Sequence, residues 1–165
     1  MTFDALQSGD SVFIDANIFI YHFNGISSEC KSFLSRCSRK DIAGYSSAFV
    51  LAEVLHRLMI AEAIRKNYIR AKNPVKQLKK HPDIITKLSD YSADVATIHD
   101  MNVTILPLTE ERIRDSKTLR KTVGVLTNDS LILAAMKHAN LSKLATNDRD
   151  FDHIAWVNVY SPSDI

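Results

Sequence analysis

Apolar positions along the chain follow two rhythms: short unbroken runs, and longer stretches with helical spacing. Ser11 to Asp15 (SVFID) is a short apolar run ending in an acid, which predicts a buried strand. A helix over 17–24 follows, with Asn17 as its cap. Gly25 closes it, and Ser27 and Ser28 open a second helix over 28–39. Ile42 to Tyr45 reads as a brief strand. Ser46 and Ser47 then open a long helix over 47–66, in which Phe49, Val50, Val54, Leu55, Leu58 and Met59 recur at helical spacing.

Pro74 starts another helical segment and Pro82 breaks it. Residues 83–100 carry Ile84, Ile85, Leu88, Tyr91, Val95 and Ile98 on one side and predict one amphipathic helix. Val103 to Leu106 is a strand stopped by Pro107. Thr109 suits a helix start, since Glu110 and Glu111 place acids in the first turn. Helix 127–140, strand 144–146 and an edge strand over 156–160 (WVNVY) complete the pattern. Strands separated by helices imply an α/β fold with a mostly parallel central sheet flanked by helices on both faces. Ligands of such sheets sit outside the carboxyl ends of the strands, where Asp15 and Asp148 both fall.

Composition narrows this picture only a little. A length of 165 residues suits one domain over 1–165, and 45% hydrophobic residues is ordinary globular usage. The net charge of +2 does not by itself point to nucleic acid. Cys30 and Cys37 fit no zinc pattern, and lie roughly 10 Å apart along a helix axis, too far for a disulfide. Two free thiols, no stretch of roughly 20 apolar residues and no signal peptide read as a soluble cytoplasmic protein with no membrane role.

The candidate chemistry is acidic. Asp15 ends a buried run, and is either a helix cap or a paired or metal-bound carboxylate. Glu53 borders the apolar face of its helix, and is either a site residue or a partner for Arg57 at i+4. Asp129 lies in the first turn of a helix for which Thr127 and Asn128 already offer caps. Asp148, Asp150 and Asp152 alternate after a strand. An EF-hand is excluded because His153 and Val159 stand where glycine and glutamate are needed. Several carboxylates in one pocket repel each other. A hard cation such as magnesium or manganese relieves that repulsion, and lowers the pKa of a bound water. The six histidines show no zinc spacing.

The strings FIDANIFIY, AEVLHRL, TNDSLILAA and ATNDRDF, in that order, resemble the PIN domain, in particular the VapC-like toxins of toxin–antitoxin pairs. The likeness runs from about 11 to 160. It implies a Rossmann-like three-layer sandwich and a Mg2+- or Mn2+-dependent endoribonuclease. Asp15, Glu53, Asp129 and Asp148 match the family's four acids, with Asp15 and Asp129 most directly tied to metal. Asn17 and Thr146 match supporting polar positions, and Asp150 is an additional acid. Extra helical sequence around 67–100 sets the chain apart from the shortest toxins. The resemblance also implies an antitoxin partner, whose basic residue reaches the acids, and a homodimer. Ile20, Tyr21 and Phe23 could serve that dimer interface as easily as a core.

Arg65, Lys66, Arg70, Lys72, Lys76, Lys79 and Lys80 form a basic run uninterrupted by acids. It reads either as a solvated helix face or as an RNA track with Tyr68 adding stacking. Arg36, Arg39 and Lys40 form a smaller patch with the same two readings. Alternative functions are a non-catalytic RNA- or protein-binding module, and a metal-dependent DNA nuclease or phosphatase.

Overall fold

The computed structural model describes all 165 residues. Five parallel strands form one sheet in the order β3-β2-β1-β4-β5: β1 (Ser11–Ile14), β2 (Ala43–Ser47), β3 (Thr104–Leu106), β4 (Lys143–Ala145) and β5 (Asn158–Tyr160). β1 is central, and Val12, Phe13 and Ile14 are fully buried, as an apolar run covered on both faces must be. The expected α/β class and the edge position of the last strand are both borne out. Chain order runs one way from β1 through β2 to β3, then reverses to β4 and β5. The reversal lies between β1 and β4, where open parallel sheets form their crevice.

Eight α-helices accompany the sheet: α1 (Ala16–Phe23), α2 (Ser28–Ser38), α3 (Ala48–Arg65), α4 (Pro74–Lys80), α5 (Pro82–Ile85), α6 (Asp90–Ala96), α7 (Glu110–Val123) and α8 (Thr127–His138). No helix is long and apolar enough to cross a membrane. One apolar core joins the sheet to α1, α2, α3, α7 and α8, with Ile20, Tyr21 and Phe23 packed half-buried against it. Cys30 and Cys37 are buried free thiols inside this core, and burial pushes their pKa values up to about 11 and about 12. Arg36 is spent on structure as well. It pairs with Asp41 at 2.6 Å and donates to the carbonyls of Phe3 and Leu6.

Two helix starts differ from expectation. α1 is capped by Asp15, as one of its two readings had it, and not by Asn17, because the Asp15 carboxylate accepts the Ala16 N–H. α8 begins after Leu126, and neither Thr127 nor Asn128 caps it. β2 also runs on through Ser46 and Ser47, so these serines end the strand. Ser46 Oγ donates to the Ile14 carbonyl at 2.9 Å, and Ser47 caps α3.

The single helix expected over 83–100 is divided into α5, α6 and a 3-10 turn at Thr97–Met101. Glu62 of α3 gives the reason. Its carboxylate, 1% exposed, accepts the backbone N–H groups of Ser89 at 3.0 Å and Tyr91 at 2.9 Å, so it caps α6 across space. Ser89 leaves helical geometry as a result, at φ −144°. Lys66 pairs with Glu62 at 2.6 Å and with Asp90 at 3.1 Å, and Arg65 pairs with Asp90 at 3.1 Å. A small second core of Ala63, Ile69, Leu78 and Leu88 lies beneath this ion cluster.

These bonds to Lys66, Tyr91 and Ser89 overcome the effect of burial and hold the Glu62 pKa down at about 2, against an ordinary 4.5. A carboxylate with a depressed folded pKa stabilises the fold above its unfolded value. That contribution is lost as pH falls through the folded one. Glu62→Gln should therefore cost about 2 kcal/mol at neutral pH. It should also flatten the decline in stability between pH 4.5 and about 2. Urea unfolding of both proteins across that window measures this, and parallel curves would remove Glu62 from the account.

Candidate active site

β1 ends at Ile14, and Asp15 follows at the carboxyl edge of the sheet, beside β4. Its N–H donates to the Ala145 carbonyl at 3.0 Å, which extends the ladder by one residue and fixes the carboxylate over the crevice. Asp15 Oδ1 accepts the Ala16 N–H at 2.6 Å. Oδ2 accepts from Thr146 Oγ1 at 2.6 Å and Asn17 Nδ2 at 2.8 Å. Thr146 is fully buried, and its hydroxyl also accepts from Asn17 Nδ2 at 2.9 Å and from the Asp148 N–H at 3.0 Å. With both acceptor positions filled, its only proton goes to Asp15. Asn17 Oδ1 accepts the Asn147 N–H at 3.2 Å, so the loop after β4 is tied to α1 at both ends of one amide.

A carboxylate offers about four lone-pair directions, and three are occupied here. The remaining one is on Oδ1. Burial pushes the Asp15 pKa up to about 6 from 3.8. The bonds from Thr146 and Ala16 pull it back in part, while the charges of Glu53 and Asp148 raise it further. Asp129, in the first turn of α8, is half-buried, and its pKa is raised by that burial and then by the charge of Asp148. The Leu126 backbone opposes this, and Asp150 and Glu53 add to the rise.

Glu53 and Asp148 thus act on both Asp15 and Asp129, Asp150 acts on Asp129, and Arg149 lines the same cleft as Asp129 and Asp150. Glu53 sits exposed in the second turn of α3, delivered there by Ser47 at the end of β2, and no ion pair joins it to Arg57. Asp148 is exposed and caps a 3-10 turn at Arg149–Phe151, accepting the Asp150 N–H at 2.9 Å. Fully buried Phe151 seats that turn in the core. Ser130, next to Asp129, is held by Arg120 of α7 at 2.9 Å, which fixes the start of α8.

No three histidine, cysteine, aspartate or glutamate side chains close into a ready coordination sphere. The donor set nonetheless suits a hard divalent cation. It is all oxygen, it carries excess negative charge, and its deepest member keeps one free lone pair directed by three bonds.

The basic run is placed elsewhere. Arg65 ends α3, roughly 18 Å beyond Glu53 at about 1.5 Å per residue. Arg65 and Lys66 are committed to Glu62 and Asp90, acids adjacent in space though not within the run. Arg70, Lys72, Lys76, Lys79 and Lys80 are exposed or half-exposed, the last three around an open hollow beside Pro74 on α4. Sequence reading passed over Arg149 and Leu126. The structure places both with Asp129 in one cleft, and the only signal for Arg149 was its position inside ATNDRDF.

A model of the PIN domain matches residues 12–157. Ribonuclease VapC2 of Methanocaldococcus jannaschii is 28% identical over 151 residues, covering 91% of this chain and 93% of that protein. Ribonuclease VapC6 of the same organism is 24% identical over 158 residues, covering 93% and 98%. Among solved structures, VapBC2 from Rickettsia felis bound to a promoter DNA fragment superposes with a TM-score of 0.57 at 16% identity, covering 93% of this chain and 99% of that one. VapC20 of Mycobacterium tuberculosis, a sarcin–ricin loop cleaving toxin, gives 0.57 at 13% identity, covering 88% and 96%. These likenesses show a shared fold.

A raised carboxyl pKa has a definite sign. Ionising Asp15 costs the metal-free fold stability, so that stability is lost as pH rises from 3.8 through about 6. A divalent cation should restore it. The rise in Tm on adding the cation should be larger at about pH 8 than at about pH 5, where the proton competes for the same oxygen. Thr146→Val should weaken cation binding roughly 10- to 100-fold by freeing the Asp15 carboxylate to rotate. Calorimetric titration at both pH values checks both statements, and pH-independent binding would contradict the first.

Proposed function

The chain belongs to the PIN domain family, and on that premise we propose that it is a divalent-metal-dependent endoribonuclease that hydrolyses phosphodiester bonds of RNA. The observation that carries this reading is the acid group at the reversal point of the sheet, with Asp15 buried, raised in pKa and rigidly held. Two relatives named as ribonucleases, matched over nearly their full lengths, support it.

Asp15 and Asp129 would hold the cation, with Glu53 and Asp148 as further ligands or as acceptors for its waters. Magnesium or manganese, both hard oxygen-seeking ions, would supply an acidified water and neutralise charge on the phosphodiester. Thr146 and Asn17 position the Asp15 carboxylate. Asp150 deepens the negative field at Asp129. Arg70, Lys72, Lys76, Lys79 and Lys80 would hold the RNA backbone away from the cut, and Tyr68, 44% exposed, offers a stacking face. Arg65 and Lys66 would contribute to the field of that patch while staying in their ion pairs.

The same reading makes the chain the toxin of a toxin–antitoxin pair, acting in the cytoplasm and forming a homodimer. The antitoxin would place a basic residue against these acids. Neutralising Asp15 and Asp129 in that way would also displace the cation, so binding and inhibition would be one event.

Asp129→Asn should lower Mg2+- or Mn2+-dependent cleavage of a defined RNA pool by roughly 100- to 1,000-fold, the scale of losing one preorganised charged group. The far-UV circular dichroism should stay unchanged. Cleavage by both Asp15→Asn and Asp129→Asn in metal-stripped buffer would overturn the reading. Faster turnover of single-stranded DNA or of a small phosphate ester would replace RNA as the substrate.

A further inference from the structure

A cleft of about 280 Å³ opens beside Asp129, between the α7–α8 connection and the turn that follows β4. Its walls are Gly124, Val125, Leu126, Asp129, Arg149, Asp150 and His153. The connection is held in shape at both ends. Gly124 takes φ +78° to end α7, a conformation that favours glycine. His153 Nε2–H donates to the Val123 carbonyl at 3.1 Å, since a carbonyl has no proton to give. The opposite wall is the Arg149–Phe151 turn, braced by Asp148 and anchored by buried Phe151.

Two side chains here have no role in the fold. Arg149 stands between Asp148 and Asp150 in sequence, yet it makes neither an ion pair nor a side-chain hydrogen bond. Its guanidinium is the one certain positive charge lining a cleft that also holds two carboxylates. Leu126 is 74% exposed, the most exposed large apolar residue of the chain, at a helix N-cap where a polar side chain would be favoured. The cleft therefore presents a carboxylate wall, a free planar cation and an apolar platform around a space of small-molecule size.

We infer that this cleft is a nucleotide subsite, in which Arg149 grips a phosphate next to the one being cut and Leu126 supports the face of the adjoining base. The inference rests on the ribonuclease reading above. A guanidinium fork matches two phosphate oxygens, and it counters the repulsion that the acids of the site exert on an RNA backbone. An apolar side chain beneath a base removes area from water without selecting a sequence. Arg149 and Leu126 thus add affinity and register to a site whose other members are all anionic or neutral.

The two contacts differ in salt dependence, which makes them separable. Binding of a short labelled single-stranded RNA is followed by fluorescence anisotropy, with Ca2+ in place of Mg2+, across a salt series. Arg149→Gln should raise Kd roughly tenfold at low salt and reduce the salt slope by about 0.7, the loss of one phosphate contact on a single strand. Arg149→Lys should keep the slope and recover part of the affinity. Leu126→Ser should raise Kd severalfold with no change in slope. Since neither side chain is engaged in the fold, thermal melting should match wild type for all three.

Wild-type affinity and slope in Arg149→Gln would overturn the inference and leave the ribonuclease reading standing. Unchanged Kd in Leu126→Ser would remove the base platform, and point to a protein partner at that leucine. A wild-type chain with no measurable affinity for RNA would overturn both readings together.

Discussion

The site depends on one hydrogen bond, from the buried Thr146 hydroxyl to Asp15. Thr146 lies 131 positions from Asp15, and only the parallel pairing of β1 with β4 makes them neighbours. The bond also orients Asn17 and the Asp148 backbone, since both donate to the same hydroxyl. A carboxylate so placed would be costly to keep charged without partners. Three donors reduce that cost, and the remaining excess of negative charge is the property a cation would satisfy.

The topology explains why the other acids arrive at the same place. β2 ends in Ser47, which caps α3 and sets Glu53 one turn and a half above the sheet edge. α8 starts at that edge with Asp129, held on its far side by Arg120 through Ser130. The segment after β4 turns immediately through Asp148, Arg149 and Asp150. Four separate stretches of chain therefore contribute through the carboxyl ends of strands or the first turns of helices. The basic residues of α4 belong to a different unit, built on the far half of α3 with its own small core.

Much of this was legible because period and punctuation are local. The apolar run of β1, the spacing in α3, and the polar residues at the start of α8 each announce their element without outside help. What was not legible depended on residues distant in sequence. The helix expected over 83–100 breaks because Glu62 captures two of its N–H groups. Asp15 was open between a cap and a site carboxylate, and it is placed for both only because Thr146 and Asn17 together fix the carboxylate where it can meet the Ala16 N–H. The basic run looked continuous because Glu62 and Asp90, which hold Arg65 and Lys66, lie outside it in sequence. Arg149 gave no signal beyond its place between two aspartates, and only the folded turn shows it unpaired in the cleft of Asp129.

The central claim is that Asp15 and Asp129, from opposite ends of the chain, hold one divalent cation. Anomalous diffraction at the manganese edge, from a crystal equilibrated with Mn2+ at about pH 8, tests it most directly. The account predicts a peak within bonding distance of oxygens from both carboxylates, about 2.0–2.2 Å for a small hard cation, with Asp15 contributing Oδ1. A fully active protein whose manganese lies elsewhere, with Asp15 and Asp129 bound only to protein groups, would contradict it.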